Sequence, residues 1–320
     1  MQEEVAVTIV IPVRDEIENV APLIERLAPL RERVGRPLEA VFVDDGSRDG
    51  TAAAVEAARA ADRPWVRLVE LRRPSGKAAA LAAGFAHARG ATIVTLDGDL
   101  QDAPEDIPLL LEKLAGADVV CGWRVERQDP LGKRLASSVY NALLRRLSGL
   151  GLHDVNCGLK ALTREAALAL DLYGDLHRLI PLLAAGQGFR VDEAPVGHGP
   201  RRHGRTKYGA GRFQRGLIDI LTVLFLLRFD RRPGHFFGPL GIGLGAAGGA
   251  ILAWLAFLRL TRGTIEWRYP LLALGVLLVV VGIQVLTTGL LAELLVLATR
   301  VRPGGPGGAG ERYAVRRVVG

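Results

Sequence analysis

The chain carries three acidic clusters, and each follows a short apolar stretch with the pattern of a β-strand. The clusters lie in residues 12–16, 44–51 and 97–102. Carboxylates gathered without matching bases repel one another unless a cation lies among them. If the preceding strands are parallel, their carboxyl ends meet at one edge of a sheet, where ligands bind. The spacing therefore predicts a single acidic site that holds a cation.

The third cluster has the residue types of a site for a hard divalent ion. Asp97 and Asp99 offer carboxylate oxygens and Gln101 adds a neutral oxygen, and Mg²⁺ or Mn²⁺ prefers such ligands. These ions keep several waters and take substrate phosphates as further ligands. A lone Asp-x-Asp is common in surface turns, but this one follows a predicted buried strand. We therefore predict a Mg²⁺ or Mn²⁺ site at Asp97, Asp99 and Gln101.

Two familiar motifs are nearly present but fail. Residues 45–56 approach the spacing of an EF-hand loop, yet an apolar strand precedes them and a helical pattern begins inside at Thr51. Ser75-Gly76-Lys77 resembles the end of a P-loop, but Leu71 and Ala78 stand where that motif needs Gly and Ser or Thr. Two interpretations of Lys77 stay open, a phosphate contact at a helix start and a solvated lysine.

A basic stretch with two glycines, RRHGRTKYG, occupies residues 201–209. It favours a loop that clamps phosphate groups through Arg and Lys. The alternative is a polybasic strip that contacts anionic lipids, and both interpretations can hold together.

The elements that position these residues alternate between strand and helix. This alternation predicts an α/β fold with a mostly parallel sheet and helices on both faces. Its predicted strands are Val5–Val13, Leu38–Asp45, Trp65–Leu71, Ala91–Asp97 and Ala117–Gly122, and its predicted helices are Glu16–Val34, Thr51–Ala61, Lys77–Arg89 and Pro104–Leu114.

Composition narrows the class of protein. The chain has 320 residues, of which 49% are hydrophobic and 23% charged, so it is neither disordered nor collagen-like. Its mean hydropathy is +0.22, and most charges lie before residue 235. A net charge of +7 suggests nucleic acid, an acidic membrane or phosphorylated substrates. Two cysteines do not make a disulfide framework.

Two long apolar runs predict membrane spans, Phe236–Leu258 and Pro270–Thr299, although two buried helices of a soluble core would have a similar composition. The acidic start of the sequence is unlike a secretory signal, so we expect the first domain to be cytoplasmic and the chain to be a multi-pass inner-membrane protein. The predicted organisation is a domain over residues 1–210, an interfacial amphipathic helix over 211–232, two transmembrane helices within 236–299 and a cytoplasmic tail over 300–320. Within the tail, residues 313–319 are either a short strand or disordered.

The motifs together resemble family 2 glycosyltransferases of the GT-A fold. More narrowly, they resemble polyprenyl-phosphate glycosyltransferases, which include dolichyl-phosphate mannose synthases and bacterial undecaprenyl-phosphate sugar transferases. The resemblance covers nearly the whole chain and is carried by VTIVIPVRDEIENV, VFVDDGSRDGT, TLDGDLQDAPED, DVNCGLKALTRE, HRLIP and EAPVGHGPRRHGRTKYG. The chain departs from the family at Pro74 and Ser75, where Asn and an aromatic are common, and at Ala103, where Pro is common.

The resemblance implies roles for residues at the strand ends and in the basic stretch. It implies nucleotide-sugar binding by Pro12, Asp15, Asp44, Asp45, Lys77 and Asp97, metal binding by Asp97, Asp99 and Gln101, catalysis by Asp99, Arg124 and Lys207, and acceptor-phosphate binding by Arg202, Lys207, His177 and Arg178.

The activity that the resemblance implies is a metal-dependent, inverting sugar transfer on the cytoplasmic face of a membrane. The donor would be a nucleotide sugar of the GDP-mannose or UDP-glucose type, and the acceptor undecaprenyl or dolichyl phosphate; a homo-oligomer is compatible with this. Alternatives are a family 2 enzyme acting on another lipid or glycan, and a non-catalytic membrane scaffold. A processive polysaccharide synthase is disfavoured because the chain lacks Gln-x-x-Arg-Trp. A nucleic-acid binder ranks last, because the positive charge clusters beside the apolar runs.

Overall fold

A computed structural model of the chain describes residues 5–125, 150–199, 232–265, 267–300 and 313–320. These residues belong to two compact units. The first contains the described residues up to 199 together with 313–320, and it is a sheet covered by helices. The second contains the two long helices after residue 232. Arg202, Lys207 and nearly all of the predicted interfacial helix lie outside the described residues.

The first unit is built on an eight-stranded sheet with the strand order β7-β5-β6-β4-β1-β2-β3-β8. Strands β4, β1, β2 and β3 lie side by side in this order and run parallel to one another. Strands β6 and β8 run antiparallel to the strands beside them. The predicted α/β fold with a mostly parallel sheet is confirmed. The strands are β1 Val7–Val13, β2 Leu38–Asp44, β3 Val66–Leu71, β4 Thr92–Thr95, β5 Val119–Arg124, β6 Lys160–Thr163, β7 Val191–Val196 and β8 Val315–Val319.

The central strands β1, β2 and β3 are buried along nearly their whole length because both faces of the sheet are covered, and most of their residues are apolar. Along β1, Ile9 and Ile11 enter one buried cluster and Val10 enters the other, as the alternation of side chains in a strand requires. The helices of this unit are α1 Ile17–Leu27, α2 Leu30–Val34, α3 Thr51–Ala60, α4 Lys77–His87, α5 Ile107–Leu114, α6 Arg164–Ala169 and α7 Ile180–Gly186, with 3₁₀ helices at Pro104–Asp106 and Leu176–Leu179.

Two predicted helices differ in detail from those in the structure. The predicted helix over 16–34 is two helices, because Pro29 has no N–H to continue the first one. The predicted helix over 104–114 begins as a 3₁₀ turn before α5. Helix α3 begins at Thr51, inside the segment with EF-hand-like spacing, as the sequence indicated.

The C-terminal residues are part of the sheet. The domain organisation predicted from the sequence assigns them to a separate tail, but Val315–Val319 is strand β8 and pairs antiparallel with β3. The pairing gives β3 a neighbour at what would otherwise be an open edge of the sheet.

The second unit consists of two helices, α8 Gly234–Arg262 and α9 Tyr269–Arg300, which contain the two predicted spans. Both are long and apolar enough to cross a membrane, and most of their large apolar side chains are exposed. This exposure disfavours the alternative of two buried helices in a soluble core.

Glycines let α8 and α9 approach closely. A Cβ placed on Gly248 would lie 2.6 Å from the carbonyl oxygen of Gly275, and one on Gly241 would lie 2.7 Å from that of Gly282. Small residues at such crossings allow backbone contact between apolar helices. The carboxylate of Glu293 on α9 accepts a 3.0 Å hydrogen bond from the N–H of Gly234, at the first residue of α8. Glu293 thus satisfies one of the open N–H groups at that helix start.

Candidate active site

The first two acidic clusters lie side by side because β1 and β2 are parallel neighbours. Val13 pairs with Asp44 in the register, and the N–H of Asp45 donates to the carbonyl oxygen of Val13 at 2.9 Å. The exposed Asp15 is joined to the loop after β2: its N–H donates to Ser47 Oγ at 2.9 Å, and its Oδ1 accepts from the N–H of Arg48 at 2.9 Å. Together with Pro12, these predicted nucleotide-sugar residues therefore lie at one edge of the sheet.

Asp44 and Asp45 have different surroundings. The carboxylate of Asp44 is 1% exposed and accepts hydrogen bonds from the backbone N–H and the hydroxyl of Ser47. Burial raises the pKa of Asp44, and the nearby Glu70 and Asp45 carboxylates add to the rise. Asp45 instead accepts from the N–H of Ser75 at 2.6 Å and that of Gly76 at 3.0 Å. Its carboxylate thus holds the turn that leads into α4.

The turn before α4 connects the second acidic cluster to the third. Asp45 binds its backbone, and the next residue, Lys77, forms a 2.5 Å ion pair with Asp97 Oδ1. Burial by itself would raise the pKa of Asp97, but the Lys77 ammonium outweighs it and lowers that pKa. The Lys77 ammonium is therefore engaged at the candidate site, which disfavours the solvated alternative.

The third cluster forms a tight turn after β4. Leu100 has φ 63°, which is uncommon for a residue with a side chain. Asp99 Oδ1 accepts from the N–H of Gln101 at 3.2 Å, and Gln101 Nε2 lies 3.4 Å from the carbonyl oxygen of Gly199. This turn brings the three predicted metal ligands into one segment and joins it to residues 197–199.

Asp102 was not given a role by the sequence, but it is the most buried carboxylate of the third cluster, at 4% exposed. Burial raises the pKa of Asp102, and repulsion from Asp97 and Asp99 adds to the rise. Its Oδ1 lies 3.5 Å from His198 Nδ1, whereas its Oδ2 has no hydrogen-bond partner among the described residues. An unpartnered carboxylate oxygen beside two other carboxylates has the charge pattern that favours a cation.

These donors fit a hard divalent ion that takes only part of its ligands from protein. Within the ranges that the structure describes, no three His, Cys, Asp or Glu side chains are arranged to enclose a metal. Mg²⁺ is commonly bound by one or two carboxylates, with waters and substrate phosphates completing the shell. The carboxylates of the third cluster can supply such a partial site.

Arg124 is fixed by a buried aspartate that the sequence analysis missed. Arg124 Nε donates to Asp154 Oδ2 at 2.7 Å and Nη2 donates to Oδ1 at 3.2 Å, which is a bidentate pair. Asp154 is 1% exposed, and its charge raises the pKa of Arg124 despite burial. Asp154 lies in the quoted segment DVNCGLKALTRE, but a lone aspartate there gives no sign of a partner on β5.

His177 and Arg178 lie near the ion pair of Lys77 and Asp97. All four line one small cavity, together with Lys160, which is only 3% exposed. Burial, and to a lesser extent the positive charges of Lys77 and Arg178, lower the pKa of His177 to about 3. His177 is therefore neutral at pH 7. Sequence reasoning missed Lys160 because a single lysine in an apolar strand has no distinctive spacing.

Sequence comparisons identify similar proteins along nearly the whole chain. The sequence pattern of glycosyl transferase family 2 matches residues 8–170. A dodecaprenyl-phosphate galacturonate synthase of Rhizobium johnstonii is 39% identical over 298 residues, which cover 92% of this chain and 88% of that protein. An undecaprenyl-phosphate 4-deoxy-4-formamido-L-arabinose transferase of Pseudomonas aeruginosa is 36% identical over 318 residues, which cover 98% of this chain and 90% of that protein.

Solved structures share the fold of the sheet domain. A mycobacterial protein matches with a TM-score of 0.53 at 25% identity, covering 69% of this chain and 74% of its own. Glucosyl-3-phosphoglycerate synthase from Mycobacterium tuberculosis, solved with Mn²⁺ and uridine-diphosphate-glucose, matches with a TM-score of 0.53 at 21% identity, covering 69% of this chain and 78% of its own. At these identities the likeness concerns the fold.

Proposed function

Because this chain belongs to glycosyl transferase family 2 and is a glycosyltransferase, we propose that it moves one sugar from a nucleotide-sugar donor to a polyprenyl phosphate. The observation that carries the proposal is that the turn before α4 connects the second acidic cluster, after β2, to the third, after β4. Asp45 binds that turn and Lys77 binds Asp97, so groups suited to a nucleotide and groups suited to a diphosphate lie next to each other. The 36–39% identical relatives that are named for polyprenyl phosphate supply the acceptor class.

The nucleoside end of the donor would bind at the ends of β1 and β2. Pro12, Asp15, Asp44 and Asp45 line this edge, and carboxylates there are suitable acceptors for ribose hydroxyls; Asp44 itself is buried and already accepts from Ser47. Lys77 and Asp97 lie where the diphosphate would follow, at the start of α4. A helix start with a lysine is a suitable contact for phosphate oxygens.

Asp97, Asp99 and Gln101 would hold Mg²⁺ or Mn²⁺, and Asp102 extends this set as a buried neighbour. When bound, the ion supplies positive charge that stabilises a departing nucleoside diphosphate. The protein's own cations, Lys77 and Arg124, would share in this stabilisation, and Asp154 fixes the direction of the Arg124 guanidinium.

The reaction needs little acid–base chemistry from the protein. The nucleophile is a phosphate oxygen of the lipid, which is already ionised at neutral pH. Its bond to the anomeric carbon forms as the bond between that carbon and the diphosphate oxygen breaks, with inversion and without a proton transfer. His177, neutral at pH 7, and Arg178 would help to place the acceptor phosphate, with Arg202 and Lys207 from the basic stretch. Catalysis then comes mainly from positioning and electrostatics.

The two apolar helices support a membrane location for this chemistry. We propose that both cross the bilayer, that the sheet domain is cytoplasmic and that residues 211–232 form an interfacial helix. The polyprenyl tail would remain in the lipid while its phosphate reaches the site. The two relatives carry different sugars in their names, so the donor panel below includes several sugars and both nucleotides.

The experiment is a donor panel. Full-length protein in detergent is incubated with undecaprenyl or dolichyl phosphate and each of several UDP and GDP sugars, with and without EDTA. We expect one donor to yield a polyprenyl-phosphate monosaccharide, and EDTA to stop the reaction until Mg²⁺ or Mn²⁺ is restored. Failure of every donor would overturn the proposed function.

A matched pair of carboxylate variants tests the metal site. Asp99→Ala should lose transfer while the protein still inserts into membranes. Glu112→Ala removes an exposed carboxylate on α5 and should leave the rate unchanged. A wild-type rate for Asp99→Ala would remove the proposed metal role.

A further inference from the structure

The C-terminal strand β8 makes several polar contacts with the edge of the sheet. Its register places Arg317 opposite Glu70 and Val319 opposite Leu68 on β3. Arg316 Nη1 donates to Glu70 Oε1 at 2.9 Å, and Arg317 Nε donates to Glu70 Oε2 at 2.6 Å. Arg317 also pairs with Glu56 on α3 at 2.7 Å. These side-chain contacts are additional to the backbone pairing that covers the strand edge.

Glu70 connects β8 to the donor edge electrostatically. In the parallel pair of β2 and β3, Glu70 is the direct neighbour of Asp44. Glu70 is 8% exposed, and its charge is one of the influences that raise the pKa of Asp44, after burial. The two arginines of β8 partly neutralise Glu70. Without them, two largely buried carboxylates would face each other uncompensated at the end of β2.

A second connection runs through the backbone after β3. The N–H of Arg72 donates to the carbonyl oxygen of Ala314 at 2.8 Å, and its Nε donates to that of Val315 at 3.3 Å. Arg72 is the first residue of the loop that leads to Ser75 and Gly76, whose N–H groups bind Asp45. Strand β8 thus holds the start of this loop, and Asp45 holds its end.

We propose that β8 is a positioning element of the donor site, which balances the charge of Glu70 beside Asp44 and fixes the loop that binds Asp45. This inference rests on the proposed function in one respect, the assignment of Asp44 and Asp45 to the donor. The expected signature is a weaker interaction with the nucleotide sugar and an unchanged interaction with the lipid phosphate.

The first test removes the strand. A variant that ends at Arg312 is compared with the full chain in the transfer assay and in binding of the matching nucleoside diphosphate by calorimetry. We expect the KM for the nucleotide sugar and the Kd for the nucleotide to rise roughly tenfold. The KM for polyprenyl phosphate should stay unchanged, and kcat should change less than the donor KM.

A synthetic peptide of residues 313–320, YAVRRVVG, gives a readout that a loss of folding would not give. Added to the shortened protein, it should restore nucleotide affinity in a saturable way by re-forming the antiparallel pair with β3. The same peptide with Arg317 replaced by Glu should restore little, because it brings a negative charge to Glu70.

A substitution in the full chain covers the case in which the shortened protein does not fold. Arg317→Gln should raise the donor KM and Arg317→Lys should largely retain the wild-type value, while circular dichroism remains unchanged. Arg190→Gln is the control, because Arg190 pairs with Asp118 in an exposed ion pair beside β7, the opposite edge strand.

The outcomes separate this inference from the proposed function. If the full chain transfers sugar and binds nucleotide, but neither the shortened protein nor Arg317→Gln changes the donor KM, then β8 only covers the sheet edge and this proposal is wrong. Equal changes in the donor and lipid KM values would also contradict it. If the full chain binds no nucleotide, the proposed function fails and this inference fails with it.

Discussion

Gly158 lies directly against Asp102: a Cβ placed on this glycine would be 2.6 Å from Asp102 Oδ2. The same Cβ would be 2.8 Å from Asp97 Oδ2. Two carboxylates of the acidic segment therefore meet at a position where only a hydrogen fits. The absence of a side chain at residue 158 is a geometric condition for the acidic site, although the sequence gives this glycine no motif of its own.

Gly158→Ala should disable the enzyme without unfolding it. The added methyl group must push Asp97 and Asp102 apart, and misplacement by about 1 Å can cost roughly a hundredfold in rate. The measurement is kcat in the transfer assay. Gly151→Ala is the matched control, because nothing lies within 4 Å of its Cβ position, and it should keep the wild-type rate. Equal activity of the two variants would mean that the separation of the two carboxylates does not matter.

Asp154→Asn should destabilise the sheet domain and lower kcat together. Asp154 is 1% exposed and holds Arg124 through two hydrogen bonds, so its loss leaves a largely buried guanidinium without its counter-charge. Breaking such a pair costs about 3 kcal/mol or more. Thermal denaturation in detergent measures the stability. Asp118→Asn breaks an exposed ion pair with Arg190 and should have a small effect; an equally small effect at Asp154 would contradict the prediction.

His177 should make the sheet domain sensitive to mild acid. The folded protein holds this imidazole neutral with a pKa of about 3, against an ordinary value of 6.5. Between these values only the unfolded chain binds the proton, so the stabilisation is complete above pH 6.5 and declines as the pH falls toward 3. At pH 5 the loss is about 2 kcal/mol relative to pH 7.

The measurement compares wild type with His177→Gln by urea unfolding at pH 7.5 and pH 5.0. The variant has no imidazole to protonate, so its stability should fall less between the two pH values. The carboxylates titrate in both proteins, so their effect on the unfolding free energy cancels when the two proteins are compared. If both proteins lost the same unfolding free energy between pH 7.5 and pH 5.0, His177 would be protonated as easily in the folded protein as in the unfolded chain, and the prediction would be wrong.

Adjacent glycines on α8 should respond oppositely to alanine. A Cβ on Gly248 would lie 2.6 Å from the carbonyl oxygen of Gly275 on α9, whereas nothing lies within 4 Å of the Cβ position of Gly249. Gly248→Ala should separate the helices and cost about 1–3 kcal/mol. Gly249→Ala should be neutral or slightly stabilising, since alanine is the better helix former. Resistance to SDS denaturation measures both, and equal losses would contradict close contact at Gly248.

The sequence predicted β1 to β5 because each of these strands is a mostly apolar run, and acidic residues follow three of the runs. It did not predict β7, which pairs parallel with β5. Nor did it predict β6, whose four residues Lys160–Thr163 are too short and mixed to be distinguished from a loop. Strand β8 was left open because VRRVV has the composition of an edge strand, and its partner lies more than two hundred residues away in the chain.

The candidate site was predictable in its carboxylates and not in their partners. The Asp97 and Asp99 motif follows a strand, and this local pattern identified it. The pairing of Arg124 with Asp154 and the closeness of Gly158 to Asp102 depend on contacts across the sheet, which no local spacing encodes. Asp45 was expected to bind the nucleotide sugar, but much of its hydrogen-bonding capacity is used by the N–H groups of Ser75 and Gly76.

If the helix pair crosses a membrane, as proposed above, the hydrogen bond between Glu293 and Gly234 determines the bilayer thickness that the pair can match. It aligns the one acidic group of α9 with the first turn of α8, and a carboxylate is tolerated at the headgroup level but costly at mid-depth. Helix α9 begins at Tyr269, so about 24 of its residues precede Glu293, which corresponds to roughly 36 Å at ~1.5 Å per residue. In a membrane, this length would exceed the hydrocarbon thickness of an average bilayer by a few ångströms, and a modest tilt of the helices would accommodate the difference.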